Sequence, residues 1–488
     1  MRAPLPAPAR WWRLLLLAAL ALTVVGSVAL ALRLRMPVLL GLPAGALLLL
    51  LLAEDYRPVF WMLIAAIPCS IQVELGGGFS MDLVSEPLML TMLAVFLISL
   101  AAGRQFAGSS RLYPFHLLIF LLLFWTLLTT VTSHDPARSA KFLLAKLWYL
   151  AAFIWMADRI LDRPERVRTL FWAFFIPLVL VSAGITLRHA ASGFSFEEAN
   201  GVAFPLFPNG VIYSATLVLF LPWGWFALRW YTPKSLQWYL ILAGLAVLLL
   251  GIVFSYKRGA WLAAASLPLV YLLLQRKWLD KLLLAGVLGG ALLIGWLVQD
   301  NRFYRFAPNY QDVIWHEGDF SAHLEATFQG TEISGMERFY RWVAAKNMIQ
   351  DMPLFGSGPS TFNQVYKRYA DDAFRTYVSD NPEQSTTHNY FLMTFAEQGF
   401  PGGLLFLGLC IYMTFKAVRL GYRVRSPERR TVLLGALFSL VTILLHSLLN
   451  EMIEVDKVGA MFWLNLLLIH KTEVWDEPRT GTGPHPAE

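Results

Sequence analysis

Apolar runs of about 17–22 residues recur from one end of this chain to the other, each bounded by charged or turn-forming residues. Such a run matches the hydrocarbon thickness a helix must cross, and in lipid only a helix or a closed barrel satisfies its own backbone. The runs lie near 11–32, 37–53, 58–73, 88–102, 113–132, 140–157, 169–187, 207–228, 237–254, 259–275, 282–298, 402–420, 431–447 and 457–470. The expected fold is therefore an all-α polytopic membrane protein with about 12–14 transmembrane helices. The shortest runs, 37–53 and 58–73, carry the least weight. Only 15% of the 488 residues are charged against 57% hydrophobic, whereas a soluble chain would carry roughly a quarter charged.

The formal net charge of +7 belongs to topology and not to nucleic acid, because the cations concentrate in alternate short loops. Arg159, Arg163, Arg166 and Arg168 share one such loop, and Lys416, Arg419, Arg423, Arg425, Arg429 and Arg430 another. The intervening loop 74–87 has no Lys or Arg but carries Glu74, Asp82 and Glu86. This bias predicts both termini on the cytoplasmic side. Residues 1–298 then form the N-terminal helices and 299–386 a large outer loop. Residues 387–471 form the C-terminal helices and 472–488 a cytoplasmic tail. The first run reads as an uncleaved span, since it ends in Arg33 and Arg35 and another run follows at once. Cys69 and Cys410 fall in apolar segments, which excludes a disulfide framework. Within the loop, 337–351 has Tyr340, Val343, Ala344 and Met348 at helical spacing, the pattern of an amphipathic helix lying at the membrane surface.

Polar residues crowd one face of this arrangement. Lys257 and Arg258 stand together between two runs, on the side that the positive-inside bias depletes. Lys146 lies inside a run, Arg188 ends another, and Arg338 and Arg341 sit on the loop helix. His388 and Asn389 open the stretch HNYFLMTFAEQGFPGG, which contains Glu397. Convergent Arg and Lys suit a diphosphate, Arg as a planar fork and Lys as a point charge, and would stabilise it as a leaving group. A histidine, with its ordinary pKa near 6.5, can take a hydroxyl proton near neutral pH. The set suits a glycosyl transfer in which a sugar leaves a lipid diphosphate for an acceptor hydroxyl. Against each reading stands a plainer one. Arg188 and Lys141 can anchor at head groups, His388 can start a helix, and Gly399, Pro401 and Gly402 can break one. Asp371 and Asp372 are poor metal-ligand geometry, and neither a metal nor a cofactor is expected.

These residues resemble the O-antigen ligase and polymerase superfamily. The series Arg338, Trp342, MIQDMPLFGSGPSTF, His388-Asn389 and Glu397-x-Gly399 is similar to the family signature, and SYKRGAWL to its Ser-x-x-Arg-Gly-Ala-Trp segment. The resemblance implies a metal-independent inverting glycosyltransferase of the GT-C class. Its donor would be an undecaprenyl-diphosphate-linked glycan, at the periplasmic face of the bacterial inner membrane. Arg258 would bind the diphosphate and His388 would activate the acceptor, a glycan or a lipid. NGVAFPLFPNG matches a family segment that an Arg often precedes by three residues, but position 198 is Glu198. Arg188 and Lys146 stand as substitutes. Protein partners compatible with the reaction are a chain-length regulator or a flippase.

A ligase and a polymerase differ only in acceptor and are not separated by these residues. A flippase would carry charges deep in both halves, whereas most mid-span charges are absent here. An enzyme with an acidic base in its first outer loop would use Asp82 or Glu86.

Overall fold

The computed structural model describes residues 55–76, 79–101, 113–307, 333–376, 379 and 386–475, with isolated positions before 55. The expected spans 11–32 and 37–53 lie outside the described residues, as do much of the outer loop and most of the tail. Among the described residues, eight helices are long and apolar enough to cross a membrane. The chain is an all-α multi-pass membrane protein.

The main elements are α1 (Arg57–Ala66), β1 (Ile71–Gly76), β2 (Phe79–Leu83), α2 (Ser85–Ala101), α3 (Pro114–Val131) and α4 (Pro136–Ile160). They continue with α5 (Arg166–Ala191), α6 (Gly210–Ala227), α7 (Leu236–Phe254), α8 (Arg258–Gln275) and α9 (Leu279–Val298). Then come α10 (Ile333–Asp351), α11 (Tyr390–Arg423), α12 (Pro427–Ser447) and α13 (Asp456–Val474). The expected span at 58–73 is not one helix. Pro68 lies in a tight turn after the ten-residue α1, and the chain then enters β1, which pairs antiparallel with β2 from Ile71↔Leu83 to Gly76↔Phe79. Alternating polar residues in QVELG and FSMDL favour a pleated ribbon over a lipid-facing helix. Among the described residues, this hairpin is the one departure from an all-helical description.

The bundle centre is α6 and α12, whose spans are each 78% buried. Trp223 Nε1 donates to Asn465 Oδ1 at 3.2 Å, and Asn465 Nδ2 to Ser439 Oγ at 2.8 Å, polar links of the kind that fix helices in lipid. By contrast, α9 buries only its first residue, Leu279, and most of its other leucines face the space that lipid fills.

The expected span 402–420 is the latter part of the 34-residue α11, which begins at Tyr390 and runs through a break at Gly399 (φ 67°, ψ −174°). The break works because its backbone finds other partners. Ser357 N donates to Ala396 O (3.1 Å), Gly358 N to Glu397 O (2.8 Å), Phe400 N to Pro353 O (2.8 Å) and Trp125 Nε1 to Gln398 O (2.8 Å). A Cβ at position 399 would sit 2.1 Å from Leu354 O, so both the conformation and the space demand glycine. The loop-bearing end of the bundle gathers the hairpin, the segments 192–209, 255–257, 352–376 and 386–389, and the turn from 448 to 455.

Candidate functional site

His388 sits in a left-handed conformation (φ 52°) just before α11. That region is uncommon for a side chain with a Cβ and persists where surroundings enforce it. Here the enforcement comes from both sides. Trp342 Nε1 on α10 donates to Thr387 O at 2.9 Å. On the other side, Glu451 in the α12–α13 turn accepts from Thr386 Oγ1 (2.6 Å), Thr387 Oγ1 (2.8 Å) and the Asn389 amide (3.0 Å). Glu451 Oε2 lies 3.8 Å from His388 Nδ1.

Burial, then Arg341, then Arg338 push the His388 imidazole down to a pKa of about 4. Each of these disfavours a positive charge, so the ring is neutral at pH 7 and has a lone pair to accept a proton. Arg341 also binds Glu337 at 3.0 Å, and Glu337 accepts from the Thr376 and Ser379 hydroxyls. α10 thus brings two cations to the histidine, one of them already tied to a carboxylate. An arriving dianion would offset the arginines and make the imidazolium easier to form.

A second cationic group stands at the start of α8. Tyr256, also left-handed (φ 54°), donates its hydroxyl to Phe194 O at 2.8 Å and precedes Lys257, the residue immediately before α8. Burial, then Arg258, lowers the Lys257 pKa. A Cβ at position 210 would stand 2.8 Å from Ala199 O and 3.1 Å from Lys257 Cε. Gly210 therefore lets α6 start against the lysine stem. Nearby, Arg188 donates to Phe204 O at 2.7 Å and borders an open hollow of about 420 Å³ with Ser192, Glu198 and Gly201. Tyr256, bonded to Phe194, ties the two sides of this region together.

Three expected ligands have other work. Lys146 is 2.5 Å from Glu454 Oε1 and 3.1 Å from the Tyr390 hydroxyl, above the Phe142 and Trp463 rings. Its side chain is 9% exposed, and its charge is paired with a carboxylate that is 26% exposed. Glu397 accepts from the Ser360 and Phe362 amides at 2.8 and 2.9 Å, which fastens the turn 356–362 to α11. Asn389 caps α11, its Oδ1 accepting from Leu392 N at 3.0 Å.

Sequence reasoning missed the acidic turn NEMIEVD altogether. Besides Glu451 and Glu454, it supplies Asp456, a fully buried carboxylate. Asp456 accepts from the hydroxyls of Ser70 and Ser85, the latter at 2.7 Å. Lys457 Nζ reaches Ser70 Oγ (2.8 Å) and Asp456 Oδ1 (3.2 Å) and lies over the Phe207 ring. Three acids within seven residues between two apolar runs were the available signal. This latch places the hairpin, the 199–207 segment and the α12–α13 turn at one end, so both cationic groups share it. Asp82, the acid weighed for the first outer loop, is pushed up to about 7 by burial and then by Asp456.

The geometry provides a neutral imidazole between two arginines and a carboxylate, with a Lys–Arg pair at the same end of the bundle. Among curated proteins none matches this sequence. Residues 243–407, which span from within α7 to the first half of α11 and include Arg258, Arg338, His388 and Glu397, match the family model described as O-antigen ligase, and this match supports the resemblance of the chain to the O-antigen ligase and polymerase superfamily.

Proposed function

We propose that this protein is a membrane glycosyltransferase of surface polysaccharide biosynthesis that moves a glycan from an undecaprenyl-diphosphate-linked donor to an acceptor hydroxyl. The observation that carries the reading is the half-buried, neutral His388 flanked by Arg338 and Arg341 inside the segment matched by the ligase family. In this reading Lys257 and Arg258 hold the diphosphate and stabilise the charge that develops on it. His388 accepts the proton of the incoming hydroxyl, and attack opposite the departing diphosphate inverts the anomeric carbon. Fixed cations supply the leaving-group stabilisation, so the reaction is expected to run without a metal. The loop-bearing end faces the periplasm and the termini the cytoplasm, as the distribution of cations in the loops supports.

The test is product analysis with the purified chain, a polyprenyl-diphosphate oligosaccharide, and a candidate acceptor present or omitted. A single modified acceptor indicates a ligase. A ladder of longer lipid-linked chains formed without acceptor indicates a polymerase. No glycan transfer under either condition, with a donor of proven competence, sinks the reading. A second reading makes Asp82 the base, favoured by its pKa near 7 beside Asp456; it requires that Asp82→Asn be inactive while His388→Ala keeps its rate.

A further inference from the structure

We infer that Glu451 is a positioning residue for His388, its carboxylate receiving the Nδ1–H of the imidazole and so reserving Nε2 for the acceptor hydroxyl. The inference rests on the assignment of His388 as base made above. Glu451 lies outside the matched segment 243–407, in a turn contributed by other helices.

Three observations carry it. Glu451 Oε2 is 3.8 Å from His388 Nδ1, about 1 Å beyond a hydrogen bond, and such contacts commonly tighten once substrate is bound. The carboxylate is itself held in place, because three donors from the residues flanking His388 converge on it. The charged groups around the ring also oppose one another. Arg338 and Arg341 approach from α10 and disfavour the imidazolium, while Glu451 approaches from the α12–α13 turn and favours it. Once an anionic donor offsets the arginines, the balance passes to Glu451.

The step is then as follows. The acceptor O–H proton moves to Nε2, and the oxygen pair forms the new bond to the anomeric carbon. The bond from that carbon to the diphosphate oxygen breaks, leaving its electron pair on the phosphate. Nδ1 keeps its proton, hydrogen-bonded to Glu451, until the imidazolium releases the Nε2 proton to water.

Kinetics of the full-length protein with a polyprenyl-diphosphate oligosaccharide test this. Glu451→Gln keeps an acceptor oxygen but loses the charge. It should lower kcat on the order of 10²-fold with KM little changed, and move the acid limb of kcat/KM to lower pH. Glu451→Asp should recover part of the rate. The double variant Thr386→Val/Thr387→Val loosens the same turn but leaves the carboxylate, and should lose far less. In a His388→Ala background Glu451→Gln should cost nothing further in residual rate. Wild-type kcat with an unmoved limb in Glu451→Gln, or additive losses in the double background, overturns the positioning role while leaving His388 as base. Full activity in His388→Ala removes the base assignment itself, and this inference with it.

Discussion

At the end of the bundle opposite the long loop, charges meet in pairs. Arg168 grips Glu428 with two bonds of 2.8 and 2.5 Å, Lys471 meets Asp158 at 2.8 Å, and Lys416 meets Glu473 at 2.5 Å. One partner in each pair is partly exposed. At the loop-bearing end the same residue types are deeper and shared among several partners. Lys457 and Asp456 are each 1% exposed, Glu451 serves four groups, and the left-handed residues Tyr256 and His388 each stand beside a cationic group. The first pattern joins helix ends and little more. The second fixes polar groups in a dry, preorganised setting, where electrostatic interactions are strong and catalysis is built.

The comparison breaks most sharply if polar groups of the loop-bearing end can be removed without effect on transfer. His388→Ala is expected to lower kcat by roughly 10²–10⁴-fold, the range for losing a general base. Arg258→Ala should be comparably slow, because the leaving diphosphate loses a fixed cation. Rates are measured on protein that elutes normally in detergent. Wild-type turnover in either variant would mean that this end is structural too. Lys457→Met addresses stability in place of rate. It strands the buried Asp456 carboxylate and should cost about 3–5 kcal/mol, seen as a large drop in the temperature of unfolding and loosening of the 71–83 hairpin. A small drop would show that water reaches the latch.

Much of this architecture was legible in the sequence, because a span is a local property. The run 237–254 became Leu236–Phe254, and 431–447 became Pro427–Ser447, since long apolar stretches between charged ends leave little choice in lipid. Legibility fails where the deciding partner is remote. Nothing near Lys146 announces Glu454, 308 residues away, so the ion pair between them could not be seen in the sequence. Glu397 could equally hold the loop together or touch substrate, and only the fold shows the amides of Ser360 and Phe362 on its two oxygens. The 58–73 run failed for another reason. Hydropathy alone does not register that Pro68 and the alternating residues after it turn the chain back as a hairpin.

A pH profile sharpens which of two acid–base groups the loop-bearing end employs. The acid limb of kcat/KM reports the free enzyme. With His388 as base it lies near 4, and with Asp82 as base near 7. Arg341→Gln removes a positive charge beside the imidazole, so the imidazolium becomes easier to form and the limb must move up, towards 6.5. A limb that stays near 7 in both proteins favours Asp82.

Arg168→Gln tests the other side of the comparison and should do least. Its ion pair with Glu428 is bidentate, yet the Arg168 side chain is 38% exposed, and water competes for both charges. Loss of such a pair is worth about 0.5–1 kcal/mol, with no effect on kcat, because the pair sits at the end remote from His388. Salt discriminates further. Raising ionic strength should narrow the stability gap between Arg168→Gln and the parent by screening the pair, while leaving the Lys457→Met gap nearly unchanged because that cluster is buried. Equal salt sensitivity at the two ends would mean that depth does not distinguish them, and that the contrast between a paired end and a working end lies in sequence alone.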